Sequence, residues 1–279
     1  MTAPETNETL REWRESAPYW AKYSATIFEM FAPLTEALIE DAGIQKGHSV
    51  LDVAGGPGEP SLTIAEVVGS SGLVTCTDAV GEMVQAAEAE AHRRSLVNMR
   101  FRQCSAESLP FADNSFDRVV SRLGVMFFPD KAFSAILRVT RPSGKVSFVV
   151  WDKSELNPFF SSVTDVISRY VESPPVDPDA PGAFRFAERG KLAAVLRKEG
   201  AIEINERIAK FDIAAPISPE QYWEMRSGMS DTLRTKLATL SESDKLRVGE
   251  EVKEAAKKFF PNNQMRFPAQ MLVVTGTKP

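Results

Sequence analysis

Between residues 49 and 151 the chain alternates five short apolar runs with stretches of helical spacing, and this rhythm limits its fold more than any other feature. The runs cover residues 49–53, 73–77, 99–103, 116–121 and 145–151. Leu62, Ile64, Ala65 and Val68 recur at helical spacing between the first two, and Met83, Ala86, Ala87 and Ala91 between the next two. Strands joined through helices must lie parallel, so the pattern predicts a parallel sheet with helices on both faces. The runs are nearly continuous in apolar character, as strands covered on both faces must be. With 279 residues the chain is long for one domain and short for two. It can bury a sizeable core without a metal or disulfide staple.

After residue 151 the rhythm changes. Pro174, Pro175, Pro178 and Pro181 predict an extended loop over residues 173–182. A helix over 191–198 closes at Gly200, strands follow over 202–213 and 269–277, and a helical insertion separates them. Ser218, Pro219, Glu220 and Gln221 supply an N-cap, a first-turn proline and the Gln of a capping box. Tyr222, Met225, Met229, Leu233, Leu237 and Leu240 follow at spacings of three or four. A second amphipathic segment near Ser241 carries Val248, Val252, Ala255 and Phe259. The N-terminal stretch is also helical in pattern, with Trp13, Tyr19, Trp20, Tyr23, Phe28 and Phe31. Such stripes serve packing first, but a roof helix also lines a pocket with part of its face. The resulting expectation is an N-terminal helical lid segment over 1–45 and a main domain over 46–279, with helical inserts at about 152–187 and 214–268. Tyr19, Trp20, Tyr23, Tyr222 and Trp223 are the candidates for a substrate pocket.

The chemistry is concentrated between Val50 and Pro60, where an apolar strand ends in Asp52 and passes through Ala54, Gly55, Gly56 and Gly58 into a helix. Glycines allow positive φ and let a ligand approach the backbone. The loop amides and the helix N-terminus together predict a site for negative charge. In an open parallel sheet, ligands bind in the crevice at such strand ends. The next strand ends in Asp78, 26 residues after Asp52, where an acid can accept both hydroxyls of a ribose. A dinucleotide fingerprint would place a third glycine at Ser61, and no Gly-Lys-Ser/Thr follows for a P-loop. A carboxylate at Asp52 repels a pyrophosphate and suits a cationic amino group.

Four landmarks in order, spread over residues 49–151, carry a resemblance. They are residues 50–58; Asp78 with Met83; residues 104–111 followed by Asn114, Ser115, Phe116 and Asp117; and residues 137–145, which contain Arg141, Pro142, Ser143 and Gly144. The chain resembles the class I S-adenosylmethionine-dependent methyltransferases, within them the branch of ubiquinone/menaquinone biosynthesis methyltransferases. The resemblance implies a Rossmann-like α/β fold with a seven-stranded sheet in the order 3-2-1-4-5-7-6 and helical lid insertions. It implies that Asp52 holds the methionine ammonium, while Ala54, Gly55, Gly56 and Gly58 lie against the methionine portion. Asp78 would hold the ribose, with Ala79 and Met83 flanking sugar and adenine, and Ser105, Ala106 and Glu107 would meet the adenine edge. Two residues depart from the family pattern: Ala54 replaces its usual glycine, and Ser105 its usual aspartate. A hydroxyl in place of that carboxylate costs about 1 kcal/mol of binding.

The resemblance implies the cofactor S-adenosyl-L-methionine, with product S-adenosyl-L-homocysteine, and transfer of a methyl group to a small organic acceptor. No general base stands out. His48 precedes the first strand, on the wrong side of the sheet, and His92 lies at a charged helix end. Arg122, after the fourth strand, either meets the cofactor or an acidic substrate group, or pairs with a structural carboxylate. Asp152 and Tyr23 are weaker catalytic candidates. The net charge of −5 argues against a nucleic-acid partner. Cys76 and Cys104 are too few for a zinc framework and read as reduced, buried thiols, so no metal is expected. No signal core and no apolar run of membrane-spanning length are evident, which predicts a cytoplasmic monomer or homodimer. The competing readings are a nicotinamide-dependent oxidoreductase and a non-catalytic cofactor-binding or regulatory protein on the same sheet.

Overall fold

The computed structural model describes residues 4–172 and 177–279. Residues 173–176 of the proline-rich loop therefore lie outside the described residues. The chain divides into two compact units. One comprises residues 32–152, 179–209 and 271–279; the other comprises the chain up to residue 31 with residues 153–178 and 210–270.

The first unit is built on the sheet. Its strands are β1 (Ser49–Val53), β2 (Leu73–Asp78), β3 (Met99–Gln103), β4 (Phe116–Arg122) and β5 (Thr140–Trp151), with parts of β6 (Ile202–Ala215) and β7 (Met265–Thr277). The order is β3-β2-β1-β4-β5-β7-β6, as expected. β1 pairs in parallel with β2 and β4, β2 with β3, and β4 with β5, while β7 runs antiparallel to β5. Strand order reverses between β1 and β4, which opens a crevice at their carboxyl ends. Asp52, Asp78 and Arg122 sit at the carboxyl ends of three neighbouring strands for this reason alone.

The strands fill the core much as their sequence requires: Val50, Leu51, Val74, Val119, Val120, Phe148 and Val149 are buried. β3 is an exception. It alternates between exposed and partly buried residues because it is the sheet's edge, so its expected burial on both faces is corrected. Helices α3 (Ser61–Val68), α4 (Gly81–Arg93), α5 (Lys131–Val139) and α7 (Lys191–Lys198) complete the unit. α5 buries Ala132, Phe133, Ile136 and Leu137, and the Phe133 ring meets Phe148 and Phe186 edge-on at 6.0 Å. Burying one such ring contributes about 2–3 kcal/mol.

The second unit is largely helical. It holds α1 (Pro4–Lys22), the start of α2 (Ser24–Ala42), α6 (Pro158–Ile167), α8 (Pro219–Met229), α9 (Asp231–Ala238) and α10 (Glu242–Ala256). The capping box forms as predicted: Ser218 Oγ accepts from Gln221 N, and Gln221 Oε1 accepts from Ser218 N. The apolar stripe over 222–240 does not make one helix. Ser230 adopts extended backbone and caps a new helix through Leu233 N, so the stripe divides into α8 and α9. An aromatic cluster of Phe159, Tyr222, Phe259, Phe260 and Phe267 fills the centre.

One boundary between the units falls inside α2 at residue 31, and Leu34, Leu38 and Ala42 beyond it are fully buried with the sheet unit. Residues 153–178 belong to the helical unit, and from residue 179 the chain is again in the sheet unit, where Arg185 donates to the Phe128 carbonyl and to Asp130. Among the described residues no helix is long and apolar enough to cross a membrane.

Candidate functional site

The turn after β1 is shaped by left-handed backbone. Ala54, Gly56 and Gly58 take φ of 59°, 55° and 120°. A Cβ at Gly55 would lie 2.7 Å from Cys76 Sγ and 2.8 Å from Asp52 Oδ2, so only glycine fits there. At Gly56 a Cβ would meet nothing described within 4 Å, which leaves an open cradle along the loop. Ala54, one of the two departures from the resembled pattern, carries a backbone cost. Its methyl sits on left-handed backbone, and a Cβ at Gly124 would lie 2.8 Å from it.

The loop amides are already occupied. Gly55 N donates to Thr77 O at 2.9 Å, Gly56 N to Asp78 Oδ2 at 3.0 Å, and Gly58 N to Gly55 O at 3.1 Å. The expected anion site at these amides is thereby corrected: the loop tightens by using its own donors and offers none of the three to a phosphate. Two carboxylates face the crevice instead. Asp52 is fully buried, and its Oδ2 accepts from Ser61 Oγ at 2.6 Å. Its Oδ1 is buried with no partner among the described residues. Burial pushes the Asp52 carboxyl up to about 7, against the lowering effects of the Ser61 hydrogen bond and the Arg122 charge. Asp78 accepts Val80 N through Oδ1 at 2.9 Å. Burial raises its pKa too, opposed by the amides of Val80, Gly56 and Ala79.

Arg122 ends β4 and is enclosed. It donates to Thr35 Oγ1 at 2.7 Å and to the Glu59 carbonyl at 3.2 Å. Burial lowers its pKa, while the Glu59 and Asp52 charges raise it. Leu123 then takes a φ of 65°, a strained turn at a strand end beside the crevice. Sequence reasoning missed Ser61, Thr35 and Thr77. Ser61 opens α3, and Thr77 Oγ1 donates to Asp52 O at 2.9 Å, so both fix the acid from below. A serine in the first helical turn was their only sequence signal.

Around the crevice, Ala79 O accepts from Gln103 Nε2 at 3.0 Å, and Met83 is buried on α4. Ser105, Ala106 and Glu107 follow β3. Ser105 Oγ accepts from Glu107 N at 3.4 Å, and the Glu107 carboxylate pairs with Lys131. Asp152 is buried just beyond β5. His48 Nδ1 accepts from Gln45 N at 3.1 Å, and His92 lies in the last turn of α4.

The aromatic candidates belong to the helical unit, where packing claims much of them. Tyr222 is fully buried, and its hydroxyl donates to Phe159 O at 2.8 Å. A Cβ at Gly249 would lie 2.8 Å from Trp223 Nε1, so that indole rests on α10. The Tyr19 ring lies against Gly228, and Tyr23 donates to Glu224 at 3.1 Å. Trp20 Nε1 is buried without a partner among the described residues.

The strand order and the glycine turn with its two strand-end acids define a class I methyltransferase fold. Residues 50–144 match the family model described as a methyltransferase domain. An uncharacterized protein of Mycobacterium tuberculosis is 37% identical over 181 residues, 63% of either chain. The ubiquinone/menaquinone biosynthesis C-methyltransferase UbiE of Cellvibrio japonicus is 37% identical over 133 residues, 47% of this chain and 53% of that protein. The chain thus matches less than two thirds of the length of these relatives. The solved YcgJ protein of Bacillus subtilis aligns with a TM-score of 0.55 over 88% of this chain and 97% of its own, at 22% identity, and shares the fold.

Proposed function

We propose that the chain is an S-adenosylmethionine-dependent methyltransferase acting on a small organic acceptor. The observation that carries the reading is the buried, unpartnered Oδ1 of Asp52, beside a loop whose Gly55, Gly56 and Gly58 amides are already spent. The site offers acids to an amino group and to ribose hydroxyls, but few donors to a pyrophosphate. That fits a cationic, phosphate-free nucleoside and disfavours a nicotinamide dinucleotide. Asp52 would hold the ammonium, the open side of Gly56 the methionine chain, and Asp78 the ribose. Ser105, Ala106 and Glu107 would meet the adenine.

When bound, the cofactor supplies a sulfonium-activated methyl group. The chain's own task is to orient the acceptor in line, desolvate it and exclude water. Arg122 is enclosed between Thr35 and Glu59 and acts by holding the loop and moderating Asp52, not as a proton acceptor. Calorimetric titration with S-adenosylhomocysteine and separately with NAD tests the reading. Micromolar binding of the first and silence with the second are expected; the reverse would overturn it.

A further inference from the structure

Arg226, on α8, meets no counter-charge among the described residues. Its guanidinium carbon lies 4.6 Å from the ring centroid of Phe159 and 4.5 Å from that of Phe160. Its Nε is buried and makes no hydrogen bond among the described residues. Its hydrogen-bonding partner among the described residues is Tyr222, a neutral hydroxyl whose own proton goes to the Phe159 carbonyl. The acids of the same helix are spent elsewhere: Glu220 accepts from Ser218, and Glu224 from Lys22 and Tyr23. Other arginines of this unit are matched, Arg169 with Glu251, Arg234 with Asp231 and Arg266 with Asp212.

A desolvated, unpaired guanidinium is costly, and such groups persist where a partner is supplied. The aromatic faces repay part of that cost but leave the Nε–H unsatisfied. A second orphaned donor lies in the same unit. Trp20 Nε1 is buried without an acceptor on α1, and α1 packs on α8, where Tyr19 covers Gly228. The helical unit thus holds two buried N–H donors without acceptors among its described residues, and at Arg226 the shortfall is one of negative charge as well.

We propose that the helical unit binds a small apolar or aromatic carboxylate through Arg226, stacked on Phe159 and Phe160. Its identity as the methyl acceptor rests on the methyltransferase reading above; the site itself does not. A planar carboxylate matches the guanidinium fork, and the rings take the apolar body of the ligand.

The test uses the full chain, titrated calorimetrically with phenylacetate and decanoate and with their primary amides as uncharged controls. Each acid should bind at least tenfold more tightly than its amide. Arg226→Met should erase that preference, and Arg226→Lys should keep part of it. S-adenosylhomocysteine affinity, measured on the same samples, should be unchanged in both variants. The melting temperature of Arg226→Met should equal or exceed that of wild type, because an uncompensated charge has been removed. Equal binding of acid and amide, or no binding of any probe, would overturn the proposal. So would a lowered melting temperature in Arg226→Met with acid binding intact, the behaviour of a purely structural cation. Arg226-dependent acid binding in a protein silent toward S-adenosylhomocysteine would support this site and sink the methyltransferase reading instead.

Discussion

Binding of S-adenosylhomocysteine should expel a proton from Asp52. The carboxyl is fully buried and pushed up to about 7 from a reference value of 3.8, chiefly by burial. A raised folded-state pKa means that the native protein holds this proton more tightly than the unfolded chain. The stability it contributes is complete below about 3.8, falls as pH rises, and is lost above about 7. The difference of about three pH units corresponds to roughly 4 kcal/mol of strain carried by the ionised site, as an order of magnitude. An ammonium against Oδ1 removes the reason for the strain and should pull the pKa down. Near pH 6 about nine-tenths of the molecules hold the proton, so about 0.9 proton should leave on binding; near pH 7.5 the figure falls to about 0.25. Affinity should rise about eightfold between those two conditions. Titration in two buffers of different ionisation enthalpy reads the proton count directly. Asp52→Asn should raise the melting temperature near pH 8 and weaken binding at least tenfold. A flat affinity with no proton release, or a destabilised Asn variant, would refute the argument.

Four further outcomes follow from the same geometry. Asp78→Ala should weaken S-adenosylhomocysteine binding by about 1–3 kcal/mol in calorimetry, since charged acceptors for the ribose and the tie to Gly56 N are both lost. Ser105→Asp should tighten binding in the same titration, because a carboxylate accepts an amino-group bond more strongly and Glu107 is engaged by Lys131; weaker binding would show the loop to be misaligned with the family. Ala54→Gly should raise the melting temperature by about 2–4 °C, corresponding to about 1 kcal/mol of relieved left-handed backbone. Removal of residues 1–24 should leave S-adenosylhomocysteine affinity within about threefold while methyl transfer to an identified acceptor is lost; full activity would exclude the N-terminal segment as a lid.

The sheet was legible because periodicity and burial answer to the same cause. A strand covered on both faces must be apolar throughout, and β1, β2, β4 and β5 were found within a few residues of where the runs predict them. β3 was located but misjudged in burial, because Met99 and Phe101 alternate with Arg100, Arg102 and Gln103 at a sheet edge, and one chain's sequence does not announce its neighbours. The break between α8 and α9 had a local sign, Ser230, but the stripe continues across it at helical spacing. Packing periodicity survives a change of helix axis, so the stripe alone cannot reveal one.

The site divides along the same line. Asp52 and the glycines are close in sequence to the turn they build, Asp78 ends the next strand, and their spacing carries their role. Ser61 could be placed in the helix but not on Asp52, because that contact depends on how far α3 rotates after Gly58. Arg226 was invisible for a different reason. An arginine at helical spacing ordinarily signals a solvated face, and nothing local distinguishes one that stacks on two phenylalanines more than sixty residues earlier. What marks it is a deficit: no acid stands three or four residues from it in α8, and Glu220 and Glu224 are bonded to other residues. Spacing predicts which groups can meet, but only the filled hydrogen-bond pattern shows which are left without a partner. The same deficit marks Asp52 Oδ1 in the sheet unit, where a cation would fill it, whereas at Arg226 an anion would.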